Sequence, residues 1–515
     1  MLVKTYGAAV QGIDALIIEI EVVIGKSLGL AMVGLPDTAV KESNERIRSA
    51  VDQCGFKFPR IGVVVNMAPA DVRKEGAAYD LPIAIAILAA DGQVAPERLS
   101  RFMIMGELSL DGSLRPIRGA LPMAIAARAA GYEGFILPAD NAREAAVVDK
   151  LKVYGVNSLT DVINFFNGMA DLQPTEVNTR EEFAAASSTF PYDFAEVKGQ
   201  AAVKRALEVA AAGGHNVLMI GSPGSGKSMM AKRLPSILPP LSLQEALETT
   251  KIHSVAGRLK SGSMLLTTRP FRSPHHTISP VALVGGGSNP MPGEISLAHN
   301  GILFLDEFPE FGKAVLEVMR QPLEDRHITV SRAKYTIDYP ASFMLVASMN
   351  PCPCGYYGHP TKQCQCMEYQ RQRYMNRISG PLLDRIDIHC EVQPVGFEQI
   401  SGAPDGEPSA AIRERVVKAR AIQTARFRNH PGIHCNAQMT EKLLNLYAAP
   451  DAAGVEMLRR HMTRLSLSAR AYSRILKVAR TIADLDGSER VEPHHIAEAI
   501  GYRNLDRGDW AERGI

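Results

Sequence analysis

An eight-residue glycine-rich segment has the residue types and the spacing of a phosphate-binding loop. It consists of Gly221, Ser222, Pro223, Gly224, Ser225, Gly226, Lys227 and Ser228, directly after the apolar run Val217–Ile220. Glycine lets the backbone wrap closely around a phosphate, so that successive N–H groups point at it. In loops of this pattern the lysine reaches the β- and γ-phosphates, and the last serine ligates Mg²⁺. The segment therefore predicts a site for ATP and Mg²⁺ between a strand and a helix.

Two adjacent carboxylates, Asp306 and Glu307, follow a second apolar run, Ile302–Leu305. In this setting Asp306 would belong to the Mg²⁺ shell, and Glu307 would act as the general base that polarises the attacking water. By itself the pair is equally compatible with an acidic strand end in solvent. Together with the phosphate loop, it predicts that the bound ATP is hydrolysed.

Asn350 follows a third apolar run, Phe343–Ala347, and is a candidate for contact with the nucleotide. At a strand end beside the phosphate loop, its amide would orient water against the γ-phosphate, which is the role called sensor 1. The alternative is an asparagine that only caps the turn before Pro351.

Three arginines are candidates for a catalytic cation. Arg385 lies among carboxylates in the segment Gly380–Asp387. It either forms an ion pair within the chain or acts as an arginine finger in the nucleotide site of a neighbouring subunit. Arg470 starts the helical run Ala469–Leu485 and is a candidate for sensor 2, a contact with the nucleotide from the helical region. Arg474 lies one turn further along, and spacing does not separate the two.

Four of the seven cysteines form two C-x-C pairs, separated by residues 355–363. The pairs are Cys352 with Cys354 and Cys364 with Cys366. Four thiolates in two close pairs suit tetrahedral Zn²⁺, although C-x-x-C is the commoner spacing. His359, between the pairs, is an alternative ligand. The second interpretation is a loop with free thiols and no metal.

The composition is that of an ordinary globular protein, with 46% hydrophobic and 22% charged residues among 515. The formal net charge of +2 gives no overall attraction to nucleic acid or lipid, so any DNA contact needs a local patch. Asp14, Glu19 and Glu21 interrupt the stretch that a signal peptide would keep apolar. The run Leu81–Ala90 is about half as long as a membrane-spanning helix. We therefore expect a cytoplasmic protein without membrane contact, whose cysteines are reduced.

The pattern of apolar residues divides the chain into four parts. Residues 1–170 alternate strands, at Ala15–Ile24, Ile61–Met67 and Phe102–Leu108, with helices at Ala78–Ala90 and Pro122–Ala130. Residues 171–192, rich in Pro, Ser, Thr and Asn, indicate a linker with space for one short helix. Residues 193–395 are a second α/β region. Residues 396–515 are helical, with helices expected at Ala411–Arg428, Thr440–Ala448, Ala453–Leu465, Ala469–Leu485 and Pro493–Tyr502.

The whole chain resembles the ComM/YifB family of magnesium-chelatase-like AAA+ ATPases. Besides the phosphate loop and the two carboxylates, the resemblance is carried by Gly199-Gln200, Ala210–Asn216, Arg269–His276, Asn350–Gly355, Ser379–Asp387 and Arg474–Ile482. It implies an α/β architecture with an AAA+ P-loop core, a C-terminal helical lid, and Gly199 and Gln200 at the nucleotide. It also implies a hexameric ring of identical subunits. Such rings bind DNA without reading its sequence and drive branch migration of recombination intermediates during natural transformation.

The same resemblance implies insertions in the core, and two of them can be located. The first, Arg269–Gly293, is rich in Pro, Gly and His and lies between the phosphate loop and Asp306, and the second is Arg326–Tyr339. The strand-like segments Ile328–Val330 and Tyr335–Ile337 flank a turn that contains Arg332 and Lys334, which predicts a β-hairpin with a basic tip. In a ring, such tips would line the pore and contact DNA phosphates. The alternative is an ordinary solvated hairpin.

Residues 1–170 resemble a Lon-protease-type domain of ribosomal-S5-like fold. Ala78 and Leu121 stand where that protease family places its nucleophilic serine and its lysine. A Ser–Lys dyad needs a hydroxyl and an amine within hydrogen-bond reach, and neither group is present. This departure predicts a domain without peptidase activity that serves assembly or contact with DNA.

Two other functions compete with a DNA motor. One is an ATPase subunit of magnesium chelatase, which serves metal insertion into a porphyrin. The N-terminal part disfavours it, because such subunits begin near the nucleotide module. The other is a protein-remodelling chaperone, with which the sequence is compatible.

Overall fold

Two separate sheets form the frame of the molecule. The computed structural model describes residues 1–25, 29–186, 190–260, 262–287, 290–332, 335–396, 406–465 and 468–503. A seven-stranded sheet belongs to the N-terminal part, and a five-stranded sheet belongs to the central part. The helices beyond residue 406 pack against the second sheet and share its apolar core.

The N-terminal sheet is mixed. In spatial order its strands are Leu30–Val33, Gly62–Ala68, Asp14–Gly25, Leu2–Gln11, Phe102–Ile104, Gly134–Pro138 and Lys152–Val156. The two longest strands, Leu2–Gln11 and Asp14–Gly25, form an antiparallel hairpin closed at Gly12, whose φ is 65°. Positive φ is the region that glycine enters without strain. The α-helices of this part are Thr38–Lys41, Ser43–Gln53, Asp80–Ala90, Ala120–Ala129, Ala139–Ala145 and Leu159–Phe166.

The helix Asp80–Ala90 lies in the core of the N-terminal part. Its side chains from Asp80 to Ala89 are all buried, as its run of Ala, Leu and Ile predicts. Asp80 is a buried carboxylate, and Arg46 Nε donates to it at 2.7 Å. Burial raises the pKa of Asp80 to about 6, because the attraction of Arg46 offsets only part of the desolvation.

The expected strand Phe102–Leu108 is wrong as a single element. The strand ends at Ile104, and Glu107–Leu108 pairs instead with Leu114–Arg115 in a separate two-stranded ribbon. Gly106 lies between them. Its N–H donates to Ala78 O at 2.8 Å, and its carbonyl accepts from the N–H of Leu81 at 3.0 Å. These two bonds turn the backbone out of the sheet.

The segment that follows contains a helix and packs on the central part. The helix is Thr179–Ala186, and residues 187–189 lie outside the described residues. Val177 and Phe183 pack against a small apolar cluster that includes Leu241 and Ala246. This segment of the expected linker therefore lies against the core.

A buried carboxylate joins the N-terminal part to the central part. Glu144, 5% exposed, accepts hydrogen bonds from the N–H of Leu121 at 2.9 Å and from the hydroxyl of Ser254. The N–H of Gly119 donates to Ser254 O at 3.2 Å. Ser254 belongs to the helix Leu243–Val255, which begins with a capping box between Ser242 and Glu245.

The central sheet is fully parallel. In spatial order its strands are Phe271–Arg272, Ile302–Leu305, Met344–Met349, Val217–Gly221 and Ile388–Val392. Because carboxyl ends of parallel strands meet at one edge, this order places the ends of three motif-bearing strands side by side. The α-helices of this part are Ala201–Gly213, Lys227–Arg233, Leu243–Val255, Pro280–Val284, Glu294–Leu297, Lys313–Val318, Arg320–Asp325, Glu368–Met375 and Gly380–Leu383.

The expected hairpin in the central part is present. His327–Arg332 pairs antiparallel with Tyr335–Pro340, and Gly285–Gly286 pairs with Met291–Pro292 in a second, shorter ribbon. Ala333 and Lys334, at the tip of the hairpin, lie outside the described residues, and so does the side chain of Arg332.

The C-terminal part is helical, as the sequence predicts. Its α-helices are Ser409–Arg426, Glu441–Tyr447, Ala452–Leu465, Ala469–Leu485 and Pro493–Gly501, within two residues of the expected bounds. Ser409–Arg426 and Ala469–Leu485 pack against Ala201–Gly213 of the central part. In the described part of the chain, no helix has both the length and the apolar character that crossing a bilayer requires.

Candidate nucleotide-binding site

The phosphate loop, Gly221–Ser228, connects the buried strand Val217–Gly221 to the helix Lys227–Arg233. Gly224 and Gly226 have φ angles of 81° and 94°, which side chains with a Cβ rarely adopt. A Cβ on Gly221 would lie 2.4 Å from the carbonyl oxygen of Val392 on the neighbouring strand. Glycine is therefore required at these three positions by the backbone path itself.

Two serine hydroxyls of the loop are buried and unsatisfied. Ser222 Oγ and Ser225 Oγ have no hydrogen-bond partner among the described residues. A buried hydroxyl without a partner is costly, and a phosphate oxygen would satisfy it. The loop therefore fits the phosphates of a nucleotide.

Lys227 is 8% exposed and lies over the loop. Its Nζ donates to Gly221 O at 2.6 Å, to Ser222 O at 2.9 Å and to Asn350 Oδ1 at 3.2 Å. Burial lowers the pKa of Lys227, and the charge of Asp306 partly offsets this. The ammonium is thus directed into the same space as the phosphate loop and Asn350.

Asp306 lies at the end of the strand Ile302–Leu305, opposite the phosphate loop. Ser228 Oγ donates to its Oδ2 at 2.7 Å, and the hydroxyl of Ser348, fully buried, donates to its Oδ1. A carboxylate and a hydroxyl at this separation are the oxygen ligands that Mg²⁺ prefers. These residues could hold Mg²⁺ beside the phosphates.

Glu307 has an unusual backbone and an exposed side chain. Its φ is 54°, in the left-handed region that non-glycine residues seldom occupy, and such residues are concentrated at functional sites. His276 Nδ1 lies 3.2 Å from Glu307 Oε2. The ring of His276 also lies against that of His275, with centroids 4.1 Å apart and planes tilted by 34°. The carboxylate is therefore accessible, and the side chain of His276 contacts it at a defined distance.

Gly199 and Gln200 lie at the start of the helix Ala201–Gly213, both with a φ of 60°. Gln200 Nε2 donates at 2.5 Å to the carbonyl oxygen of Gln393. Gln393 directly follows the strand Ile388–Val392, which pairs with the phosphate-loop strand. The two residues thus lie at the same edge of the sheet as the loop.

The structure places Arg385 in an intrachain ion pair. Its Nη2 donates to Glu324, and its Nη1 donates to Pro381 O at 2.7 Å. The side chain is only 8% exposed, and its Nε has no partner in the described part of the chain. To reach another subunit, Arg385 would have to leave Glu324.

Arg470 and Arg474 differ in their surroundings. Arg474 Nη1 lies 2.6 Å from Asp387 Oδ1, and Asp387 also accepts from the N–H of Asn216 at 3.0 Å. Burial opposes the charge on Asp387, but the attraction of Arg474 and the proximity of His215, whose Nδ1 lies 3.5 Å from Asp387 Oδ2, hold its pKa well below the usual range. Arg474 therefore ties the C-terminal helices to the core, whereas Arg470 is exposed.

The four cysteines of the segment 352–366 lie together. Their Sγ atoms are all within 4.8 Å of one another. His359 is not part of this group, because its Nδ1 accepts from the N–H groups of Thr361 and Lys362 at 3.2 and 3.1 Å. The four thiols could hold a metal ion, and the alternative ligand His359 is not needed.

Comparison with known proteins agrees with this geometry. Residues 193–400 match the family model described as "Magnesium chelatase, subunit ChlI", and residues 406–503 match the model of the C-terminal part of that subunit. Residues 18–141 match a third model, "Subunit ChlI of Mg-chelatase". The chain is 43% identical to competence protein ComM of Haemophilus influenzae over 510 residues, which is 98% of each chain. It is 43% identical over 502 residues to YifB of Salmonella typhimurium, covering 97% of this chain and 96% of the relative.

The chain belongs to the ComM/YifB family of magnesium-chelatase-like proteins. Its parallel sheet and the helices that follow fit an AAA+ core with a C-terminal helical domain. Similarity to a chloroplastic magnesium-chelatase subunit ChlI of Nicotiana tabacum is weaker, at 24% identity over 350 residues. That match covers 60% of this chain and 72% of the relative.

Two residues at the site of this ComM/YifB-family chain were not singled out from the sequence. Ser348, whose hydroxyl contacts Asp306, could have been found, because it is the one polar residue inside the apolar strand Met344–Met349. His276 belongs to the segment Arg269–His276 that carries the family resemblance, but nothing in the sequence points to its contact with Glu307. It lies 31 residues before Glu307, and no periodicity predicts a contact across that distance.

Proposed function

We propose that this chain is an ATP-driven motor that assembles into a hexameric ring and moves DNA, in branch migration or recombination during DNA uptake. The ATPase part rests on one observation: Ser228 and Asp306, the two expected Mg²⁺ ligands, are hydrogen-bonded at 2.7 Å beside the phosphate loop. The DNA part is supported by the name of the H. influenzae relative, a competence protein.

In this proposal each residue of the site has one task. Gly221–Ser228 bind the phosphates, with Gly199 and Gln200 beside them. Ser228 and Asp306 would hold Mg²⁺, which when bound would supply positive charge against the phosphates. Glu307 takes a proton from the attacking water, and Asn350 orients that water.

Two arginines complete the proposed site. Arg385 would enter the site of the next subunit after leaving Glu324, and Arg470 would contact the nucleotide as sensor 2. Arginine contacts of this kind stabilise charge in the transition state of phosphoryl transfer. Full ATPase activity would therefore require assembly of the ring.

We propose the following division of the chain. Residues 1–170 form a Lon-protease-like domain of ribosomal-S5-type fold without a catalytic dyad, and 171–192 form the linker. Residues 193–395 form the AAA+ core, and 396–515 form the helical lid. Ala78 and Leu121 support the loss of peptidase chemistry, because neither side chain can act as nucleophile or base.

ATP turnover tests the motor. It would be measured without DNA, with single-stranded DNA and with a four-way junction, and Glu307→Gln would serve as the inactive control. We expect stimulation by DNA that weakens as salt rises, because phosphate contacts release counterions. Hydrolysis that no DNA changes would reject the DNA part and leave the ATPase part standing.

A second candidate is an ATPase subunit of a magnesium chelatase. It is favoured by the descriptions of the family models and by the chloroplastic relatives. It requires partner subunits and a porphyrin substrate. If DNA has no effect, this role and protein remodelling by a chaperone become the functions to test.

We also propose that the four clustered cysteines bind a structural Zn²⁺. ATP, Mg²⁺ and Zn²⁺ are then the three groups that the chain would hold.

A further inference from the structure

The cysteine cluster has the dimensions of a tetrahedral thiolate site. Cys352 Sγ lies 3.4 Å from Cys354 Sγ and 3.6 Å from Cys364 Sγ, and Cys354 Sγ lies 3.6 Å from Cys364 Sγ. Four sulfurs at about 2.3 Å from a central Zn²⁺ would be about 3.8 Å apart. A disulfide needs about 2.05 Å, and all seven cysteines of the chain are free thiols. The spacing thus fits a metal-centred group rather than a bridged pair.

Backbone N–H groups point at these sulfurs. The N–H of Cys354 donates to Cys366 Sγ at 3.4 Å, and the N–H of Cys366 donates to Cys364 Sγ at 3.4 Å. Arg371 holds the second pair in place, because its Nη1 donates to Cys366 O at 2.8 Å and its guanidinium lies over the ring of Tyr357. Such outer contacts orient metal ligands and offset the negative charge of thiolates.

Gly355, the residue that follows the first cysteine pair, is in direct contact with the phosphate loop. Gly355, one residue after Cys354, closes a turn by donating its N–H to Cys352 O at 3.0 Å. Its φ is 83°, and a Cβ there would lie 2.5 Å from Cδ and 2.6 Å from Cγ of Pro223. The turn that contains Cys352 and Cys354 therefore packs against Pro223 of the phosphate loop. The space between Gly355 and Pro223 is too small for a methyl group on Gly355.

The same turn is joined to the cation of the loop. Asn350, two residues before Cys352, accepts a hydrogen bond from Lys227 Nζ. The segment from Asn350 to Gly355 thus contacts the loop at both Pro223 and Lys227. A contact that holds the segment Asn350–Gly355 in place therefore also restrains Pro223 and Lys227 of the phosphate loop.

We propose that Zn²⁺ bound by Cys352, Cys354, Cys364 and Cys366 holds the Asn350–Gly355 turn against Pro223 and so keeps the phosphate loop in its nucleotide-binding shape. The inference rests on the proposed binding of nucleotide at this loop. It assigns a function to the metal beyond local folding: occupancy by Zn²⁺ sets the affinity for ATP.

The test uses the full-length chain and two measurements. Zinc per chain is measured by mass spectrometry of metals, and the affinity for a fluorescent ATP analogue is measured with Mg²⁺ present. Cys364→Ser removes a ligand, and Cys54→Ser, a thiol of the N-terminal part, is the matched control. Gly355→Ala keeps all four thiols but places a methyl group against Pro223. This variant therefore disturbs the contact between the turn and the phosphate loop without removing a metal ligand.

We expect about one zinc per chain in the unmodified protein, in Cys54→Ser and in Gly355→Ala, and much less in Cys364→Ser. Affinity for the analogue should fall about tenfold in both Cys364→Ser and Gly355→Ala, as is usual when support around a site is removed. Far below one zinc per folded chain would overturn the metal site. If the unmodified protein contains zinc but both variants bind the analogue with unchanged affinity, the claim that the turn supports the phosphate loop is overturned. No analogue binding even by the unmodified chain would instead reject the proposed nucleotide function.

Discussion

Ser228 Oγ donates a 2.7 Å hydrogen bond to Asp306 Oδ2 across 78 positions of sequence. The order of the central sheet makes this possible, because a single strand, Met344–Met349, lies between the strand that Asp306 follows and the strand that leads into the phosphate loop. That middle strand contributes Ser348, which binds the other oxygen of Asp306. Both oxygens of the carboxylate are thereby oriented before any metal ion arrives, which lowers the cost of ordering the site.

The Ser228 hydroxyl should control the dependence on Mg²⁺. In Ser228→Ala the Mg²⁺ concentration for half-maximal turnover should rise about 10- to 100-fold, because a ligand and a partner of Asp306 are lost together. Ser228→Thr keeps a hydroxyl and should stay near the unmodified value. Turnover titrated with Mg²⁺ at fixed ATP checks this. Equal Mg²⁺ dependence in the alanine and threonine variants would contradict the assignment.

Arg385 should act on the neighbouring subunit. Arg385→Ala alone should lower turnover on the order of 10³-fold without changing nucleotide affinity. Mixed rings of Arg385→Ala and Glu307→Gln subunits should regain turnover, because some sites then combine an intact base with an intact finger.

The mixing experiment distinguishes the two interpretations of Arg385. If the Glu324 ion pair is its whole role, mixing restores nothing, and Glu324→Gln should lower turnover as much as Arg385→Ala does. If Arg385 instead acts in the site of a neighbouring subunit, Glu324→Gln leaves Arg385 intact and should keep most of the turnover.

Substitutions of Arg470 and Arg474 should have different effects on stability and on ATP turnover. Arg474→Gln leaves Asp387, 1% exposed, without its cation, so the free energy of unfolding should fall by about 3 kcal/mol. Arg470→Gln changes an exposed side chain and should alter stability by less than about 0.5 kcal/mol. As sensor 2, however, Arg470→Gln should reduce turnover about 100-fold. Urea unfolding and ATP turnover on both variants give the comparison, and matching stability losses would refute it.

His276 should position the catalytic base. In His276→Ala, kcat should fall about tenfold, because Glu307 Oε2 loses its 3.2 Å partner and the exposed carboxylate is no longer oriented. Affinity for nucleotide should not change. The adjacent His275→Ala is the comparison: His275 contacts the ring of His276 and bonds to Thr277, so its loss should lower kcat less than the loss of the group that lies beside Glu307. An unaltered kcat in His276→Ala would remove this role.

Asp80 should make stability fall as pH rises between about 4 and about 6. Its carboxyl titrates near 3.9 in an unfolded chain, whereas burial raises its pKa to about 6 in the fold. Between these values the folded state binds more protons, so the free energy of unfolding decreases with pH, by about 3 kcal/mol at most. Urea unfolding from pH 4 to pH 7 should show this slope in Asp91→Asn, an exposed control, and lose it in Asp80→Asn.

The sequence was most informative where one local rule decides the structure. The phosphate loop is predicted because Gly224 and Gly226 need positive φ, and the C-terminal helices because their apolar residues repeat at helical spacing. Prediction was weaker where tertiary contacts decide. The bend at Gly106 depends on bonds to Ala78 and Leu81, and the ion pair of Arg474 depends on a carboxylate 87 residues away. Local pattern carries no information about such partners.

The hydrogen bond from Ser254 to Glu144 has a mechanical consequence. It joins the helix Ala139–Ala145 of the N-terminal part to the helix Leu243–Val255 of the central part, and water does not compete for it, because Glu144 is buried. A displacement of that helix during ATP turnover would therefore act on the N-terminal part directly, and not only through residues 171–192. The N-terminal part would then behave as a rigid arm, and its outer surface would follow a path set by the core rather than diffuse on a tether.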